Sequence, residues 1–124
     1  VLIGGPEDFE IGKIIESNCD NVINTCGKYN INESAFIVNN SDLLITHDTG
    51  MMHIAAALGT KIFSVFGGTH PNLGFTPYKP NPENRIIQIE NLNCRPCHRY
   101  GKSKCPKGHF KCMQEIDENL FLSK

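Results

Sequence analysis

Leu43-Leu44-Ile45-Thr46-His47-Asp48-Thr49-Gly50-Met51-Met52-His53-Ile54-Ala55-Ala56-Ala57-Leu58-Gly59 is the stretch that decides the fold. Its apolar opening, Leu43 to Thr46, reads as a buried strand. Asp48 and Thr49 are both good helix N-caps, Met51 to Leu58 is Ala-rich and helical, and Gly59 stops the helix. A second apolar strand, Ile62-Phe63-Ser64-Val65-Phe66, follows and ends at Gly67-Gly68. Strand, helix and strand with short connections make a βαβ unit, so the two strands run parallel.

The same alternation continues on both sides. Upstream, Val1-Leu2-Ile3 reads as a strand, Ile11, Ile14 and Ile15 recur at helical spacing, and Val22-Ile23 is a second short strand. Asn30 and Glu33 form a capping box for a helix through about Val38. Downstream, Thr69 to Asn84 carries Pro71, Pro77, Pro80 and Pro82 and reads as a long loop, after which Ile86-Ile87-Gln88-Ile89 is a fifth strand. Asn93 to Lys111 is rich in Cys, Lys, Gly and His, and Met113, Ile116 and Leu120 predict a terminal helix packing back on the body. The expectation is an α/β fold: a Rossmann-like sheet of five mostly parallel strands with helices on both faces. One domain over 1–124 is expected, with a body over about 1–92 and a Cys-rich loop and C-terminal helix over about 93–124. Val1 to Gly5 runs from strand into turn without a lead-in, so an excised domain is expected.

Composition narrows the function. The 124 residues are 40% hydrophobic with a net charge of -1, enough for one core and without a strong electrostatic pull toward nucleic acid or an anionic membrane. No apolar run approaches the roughly 20 residues of a spanning helix, and no signal segment opens the chain.

The chemistry gathers where the helix after Thr46 begins. Ligands of open parallel sheets bind at the carboxyl ends of strands, where helix N–H groups and the helix dipole favour a phosphate. Gly50 lets a ligand come close to the backbone, and His53, one turn on, reaches toward the same anion. Local physics leaves two readings open: a phosphate site, and an ordinary capped helix with His53 as a packed side chain.

Asp48-Thr49-Gly50-x-x-His53-x-Ala55-Ala56-Ala57, then Phe66-Gly67-Gly68-Thr69-x-Pro71, resembles glycosyltransferase family 9, which includes the ADP-heptose:lipopolysaccharide heptosyltransferases. Gly4-Gly5-Pro6-Glu7, Phe75-x-Pro77-Tyr78 and the Cys-x-Pro-Cys segment with its later Cys-Pro-x-Gly-His-x-x-Cys-Met extend the likeness over essentially the whole chain. The resemblance implies the C-terminal, donor-binding half of a GT-B enzyme. On it, Asp48, Thr49, Gly50 and His53 surround the diphosphate and sugar of a nucleotide-sugar donor of the ADP-heptose type. Glu7 matches an acidic residue that binds the nucleoside. Tyr29 stands where the family places an apolar residue beside the nucleotide, and it retains a ring to stack on a base. The implied activity is inverting transfer of heptose, or a related sugar, to lipopolysaccharide core. No cofactor is required, and the catalytic base lies in an N-terminal acceptor domain that this chain lacks. The fragment alone is then inactive, and the implied location is cytoplasmic, at most peripheral at the inner membrane. Part of a sugar-nucleotide epimerase, and a non-catalytic nucleotide-binding or zinc-braced interaction module, are the competing readings.

Cys94, Cys97, Cys105 and Cys112 are spaced Cys-x2-Cys-x7-Cys-x6-Cys, with His98 and His109 among them, whereas Cys19 and Cys26 read as ordinary buried thiols. A structural zinc site, disulfides and free thiols all remain open. In each case the cluster reads as a brace for the tail and not as a catalytic centre. The surrounding Arg95, Arg99, Lys102, Lys104, Lys107 and Lys111 read first as a solvated loop, and second as a contact for anionic lipopolysaccharide or the inner leaflet.

Overall fold

The structure is a computed structural model that describes residues 1–78 and 81–122. Pro80 of the expected loop lies outside the described residues. The chain divides into two units, Val1–Asn40 and Ser41–Lys124.

In the first unit a 3-10 turn over Pro6–Asp8 leads into α1 (Phe9–Asn18), and α2 spans Ile31–Asn39. The strands expected at Val1–Ile3 and Val22–Ile23 shrink to a single parallel bridge between Leu2 and Asn24. Leu2 N donates to Ile23 O at 2.8 Å and Thr25 N donates to Leu2 O at 3.0 Å. One further bond, Gly27 N donating to Gly4 O at 2.9 Å, continues the contact before Pro6 carries the chain into the 3-10 turn. The expected apolar stripe of α1 is not its buried side. Ile11 and Ile14 are 63% and 64% exposed, and Gly12 is the buried residue of the helix. Gly12 is there because the helix crosses Asn24: a Cβ at position 12 would stand 2.4 Å from Asn24 Oδ1. Asn24, 1% exposed, satisfies its side chain by donating to Phe9 O and accepting from Cys26 N. Cys26 is buried as expected, but Cys19 is exposed.

The second unit holds the sheet. β1 (Leu44–His47), β2 (Ile62–Val65) and β3 (Arg85–Ile87) form a three-stranded sheet in that order, parallel throughout. Among the described residues it therefore has three strands where five were expected. All four residues of β2 are buried, as the middle strand of a covered parallel sheet requires. α3 (Gly50–Leu58) joins β1 to β2 and packs on both. Gly59 ends it in the left-handed region at φ 79°, as the sequence predicts. One face of the sheet carries Phe63, Val65 and Ile87, packed by Leu43, Met113, Ile116 and Phe121.

The expected terminal helix is broken in two, α4 (Lys111–Gln114) and α5 (Asn119–Leu122). Asp117 starts the second piece by accepting from Asn119 N at 2.9 Å. The break brings Phe121 onto the core in place of Leu120, which is 39% exposed. The result is a small parallel sheet flanked by helices, a Rossmann-like arrangement. None of the described helices is long and apolar enough to cross a membrane.

Candidate functional site

β1 ends at His47, and the chain turns through Asp48 and Thr49 into α3. Thr49 occupies the N-cap with extended backbone, φ -141° and ψ 167°. Its side chain does not cap the helix, because its hydroxyl lies 3.1 Å from the Thr46 hydroxyl instead. The first turn of α3 is thus left to backbone and solvent. A Cβ built on Gly50 would meet nothing within 4 Å, so open space lies over the position. Internal packing does not demand a glycine there.

That space belongs to a cavity of about 230 Å³ lined by Asp48, Thr49, Gly50, His53, Phe75, Arg99 and Tyr100. Four of the residues singled out in the sequence meet around it. Glu7 and Tyr29 belong to the first unit. Glu7 sits in the 3-10 turn with its carboxylate folded over Gly5, and Tyr29 is 46% exposed just before the Asn30 cap.

Three further lining residues were not proposed as donor-site residues from the sequence. Phe75 comes from the loop after β2, and Arg99 and Tyr100 come from the Cys-rich loop. The rings of Phe75 and Tyr100 lie 5.8 Å apart at 52°, and the Arg99 guanidinium lies 5.7 Å from the Tyr100 centroid. Four residues earlier, Arg95 is no solvated lysine-like charge. Its guanidinium donates to the backbone carbonyls of Gly67, Phe66, Thr69 and Ile89 and to the side chain of Gln88. Those carbonyls leave the carboxyl ends of β2 and β3, so one planar fork gathers groups that no strand partner satisfies. Cys97 N adds a bond to Gly68 O at 3.0 Å. The loop is tied down at the edge of the site. Arg flanked by a Cys-x-x-Cys pair is the signal that sequence reading had available, but only the fold shows what it grips.

A second cavity, of about 300 Å³, shares Asp48 and Tyr100 with the first and is walled by Cys97, Cys105 and Cys112 beside Val65 and Met113. All six cysteines are free. Burial pushes the Cys112 thiol up, with a further push from Cys97. At Cys105 the backbone N–H of Phe110, with those of Lys107, Gly108 and His109, pulls the thiol down. Cys94 Sγ lies 3.9 Å from His109 Nε2. Among the described residues no group of three His, Cys, Asp or Glu side chains is placed to hold a metal ion, so zinc draws no support from this arrangement.

A family model described as glycosyltransferase family 9 (heptosyltransferase) matches residues 1–107. The chain is 33% identical over 130 residues to a lipooligosaccharide heptosyltransferase 2 of Haemophilus influenzae, covering 99% of this chain and 35% of the relative. It is 32% identical over 109 residues to a lipooligosaccharide heptosyltransferase 2 of Campylobacter jejuni, covering 86% of this chain and 32% of the relative. It thus spans about a third of the length of the curated relatives it matches. A crystal structure of a glycosyl transferase family 9 protein from Veillonella parvula shares the fold with a TM-score of 0.73 at 23% identity, over 97% of this chain and 33% of that one. The Escherichia coli ADP-heptose lps heptosyltransferase II does so with a TM-score of 0.57 at 23% identity, over 73% of this chain and 28% of that one.

Proposed function

The chain belongs to glycosyltransferase family 9, and on that premise we propose that it is the donor-binding domain of a sugar transferase, the C-terminal half of a GT-B enzyme. The donor is a nucleoside diphosphate sugar of the ADP-heptose type, and the acceptor is lipopolysaccharide core. The observation that carries this reading is the cavity at the start of α3, where Asp48, Thr49, Gly50 and His53 surround open space at the carboxyl end of a parallel strand.

In inverting transfer an acceptor hydroxyl oxygen bonds to the anomeric carbon while the bond from that carbon to the donor phosphate breaks. The hydroxyl proton goes to a general base. The leaving nucleoside diphosphate gains negative charge as it departs, and fixed donors aimed at that charge lower the barrier. The first turn of α3 and His53 supply those donors, and Asp48 holds sugar hydroxyls, since a carboxylate repels phosphate. For Glu7 and Tyr29 the support is the resemblance alone, and their proposed part is contact with the nucleoside. The base and the acceptor site are proposed to lie in sequence beyond these 124 residues. The 124-residue chain then binds donor without turning it over, and its setting is the cytoplasmic side of the membrane, with peripheral contact at most.

Calorimetric titration with ADP and ADP-heptose tests the site. Gly50→Val fills the open space, so affinity for both should fall about a hundredfold while the fold is kept, because a Cβ there meets no protein atom within 4 Å. His53→Ala removes a donor to a charged group and should cost about ten- to a hundredfold. Asp48→Asn should weaken ADP-heptose more than ADP. Three folded variants that bind both ligands like the parent would sink the assignment.

A further inference from the structure

We infer that the Cys-rich loop is itself a wall of the donor site, with Arg99 as a phosphate ligand held in place by Tyr100 and Phe75; this rests on the reading of the α3 cavity as a donor site.

Three observations carry it. The first is position. The cavity of about 230 Å³ is lined by the start of α3 together with Phe75, Arg99 and Tyr100. The second is anchorage. Arg95 and Cys97 fasten the loop to carbonyls at the ends of β2 and β3, so Arg99 follows at a short, fixed reach. The third is the state of the Arg99 charge. It takes part in no salt bridge among the described residues, and its neighbour is the Tyr100 ring, 5.7 Å away. A guanidinium resting on an aromatic face keeps its N–H edge for a planar or tetrahedral oxyanion. With it in the lining stand a helix start that no side chain caps and His53, with Asp48 the one carboxylate. A diphosphate presents two anionic centres. The helix start and Arg99 offer one donor group for each.

A bare solvated arginine would give a different result in one measurement. The intact 124-residue chain is titrated calorimetrically with ADP, AMP and adenosine, as parent, Arg99→Ala, Arg99→Lys and Gly50→Val. Arg99→Ala should weaken ADP about ten- to a hundredfold, AMP less, and adenosine hardly at all. Arg99→Lys should recover only part of the loss, because an ammonium lacks the fork. Arg99 is exposed, so circular dichroism of its variants should match the parent. If Gly50→Val weakens ADP and Arg99→Ala does not, the loop is no part of the site and this inference falls while the donor-site reading stands. A parent that binds neither ADP nor ADP-heptose overturns both.

Discussion

Two helix starts in this chain are built in opposite ways. At α2 side chains close the end: Asn30 Oδ1 accepts from Asn32 N at 2.9 Å and Glu33 N at 3.1 Å, and Glu33 accepts from Asn30 N at 2.8 Å. At α3 the cap residue is also one that could close the end, yet its hydroxyl lies against Thr46. The sealed end has given the N–H groups of Asn32 and Glu33 to its own cap. The unsealed end opens on a cavity, and a glycine with empty space over it stands at its first position. Capping energy forgone at one end and collected at the other is the physical difference between the structural helix start and the one proposed to bind.

The largest expected effect lies in the loop that lines the cavity with the open end. Arg95→Met removes a guanidinium that serves four backbone carbonyls and one side chain. Losing several charged hydrogen bonds while leaving partly buried acceptors unpaired should cost about 3 kcal/mol or more. Urea unfolding of the parent and the variant would measure it. A loss below about 1 kcal/mol would mean the loop is not held by this residue, and the wall would need another explanation.

Next comes the sealed end. Asn30→Ala should destabilise the chain by about 1 kcal/mol without altering ADP affinity, whereas Thr49→Ala should cost only a few tenths. Equal losses in the two variants would erase the distinction between the ends. A smaller loss at Asn30 would reverse it.

The legibility of the two ends follows from the range of the forces. The Asn30 box needs residues three apart, so the sequence pattern alone identifies it. The βαβ core around α3 is legible for a similar reason, since its periodicity and its Gly59 stop are local. The open end of α3 is one of two readings the sequence allows, because Thr46 and Thr49 are both good hydrogen bonders with several choices, and the structure pairs them with each other. Arg95, Arg99 and Tyr100 could not be placed from sequence, because what they touch lies up to 29 residues away. The short strands failed for yet another reason. A three-residue apolar run such as Val1-Leu2-Ile3 is too short to show how far its pairing will run, and here Pro6 soon takes the chain into a 3-10 turn.

The smallest effect concerns a third cluster of backbone N–H groups, one filled by its own chain. Around Cys105 the N–H groups of Phe110, Lys107, Gly108 and His109 turn toward the sulfur and hold its pKa below the ordinary thiol value, while burial holds that of Cys112 above it. An anion on sulfur is what such a nest stabilises, as the open end of α3 is proposed to stabilise phosphate. With one pKa lowered and the other raised, Cys105 reaches its thiolate form before Cys112 as pH rises. Near pH 7.5 iodoacetamide should therefore label Cys105 several-fold faster than Cys112 or the buried Cys26, whose thiol burial also pushes up. The ratio should shrink at higher pH, as Cys112 and Cys26 ionise in their turn. Peptide mapping of timed samples reads all six sites at once. Uniform protection of Cys94, Cys97, Cys105 and Cys112, lifted together by a chelator, would instead mean that one metal holds the four sulfurs. The nest at Cys105 would then serve a coordinated thiolate, and the comparison of the three N–H clusters would have to be redrawn around that metal.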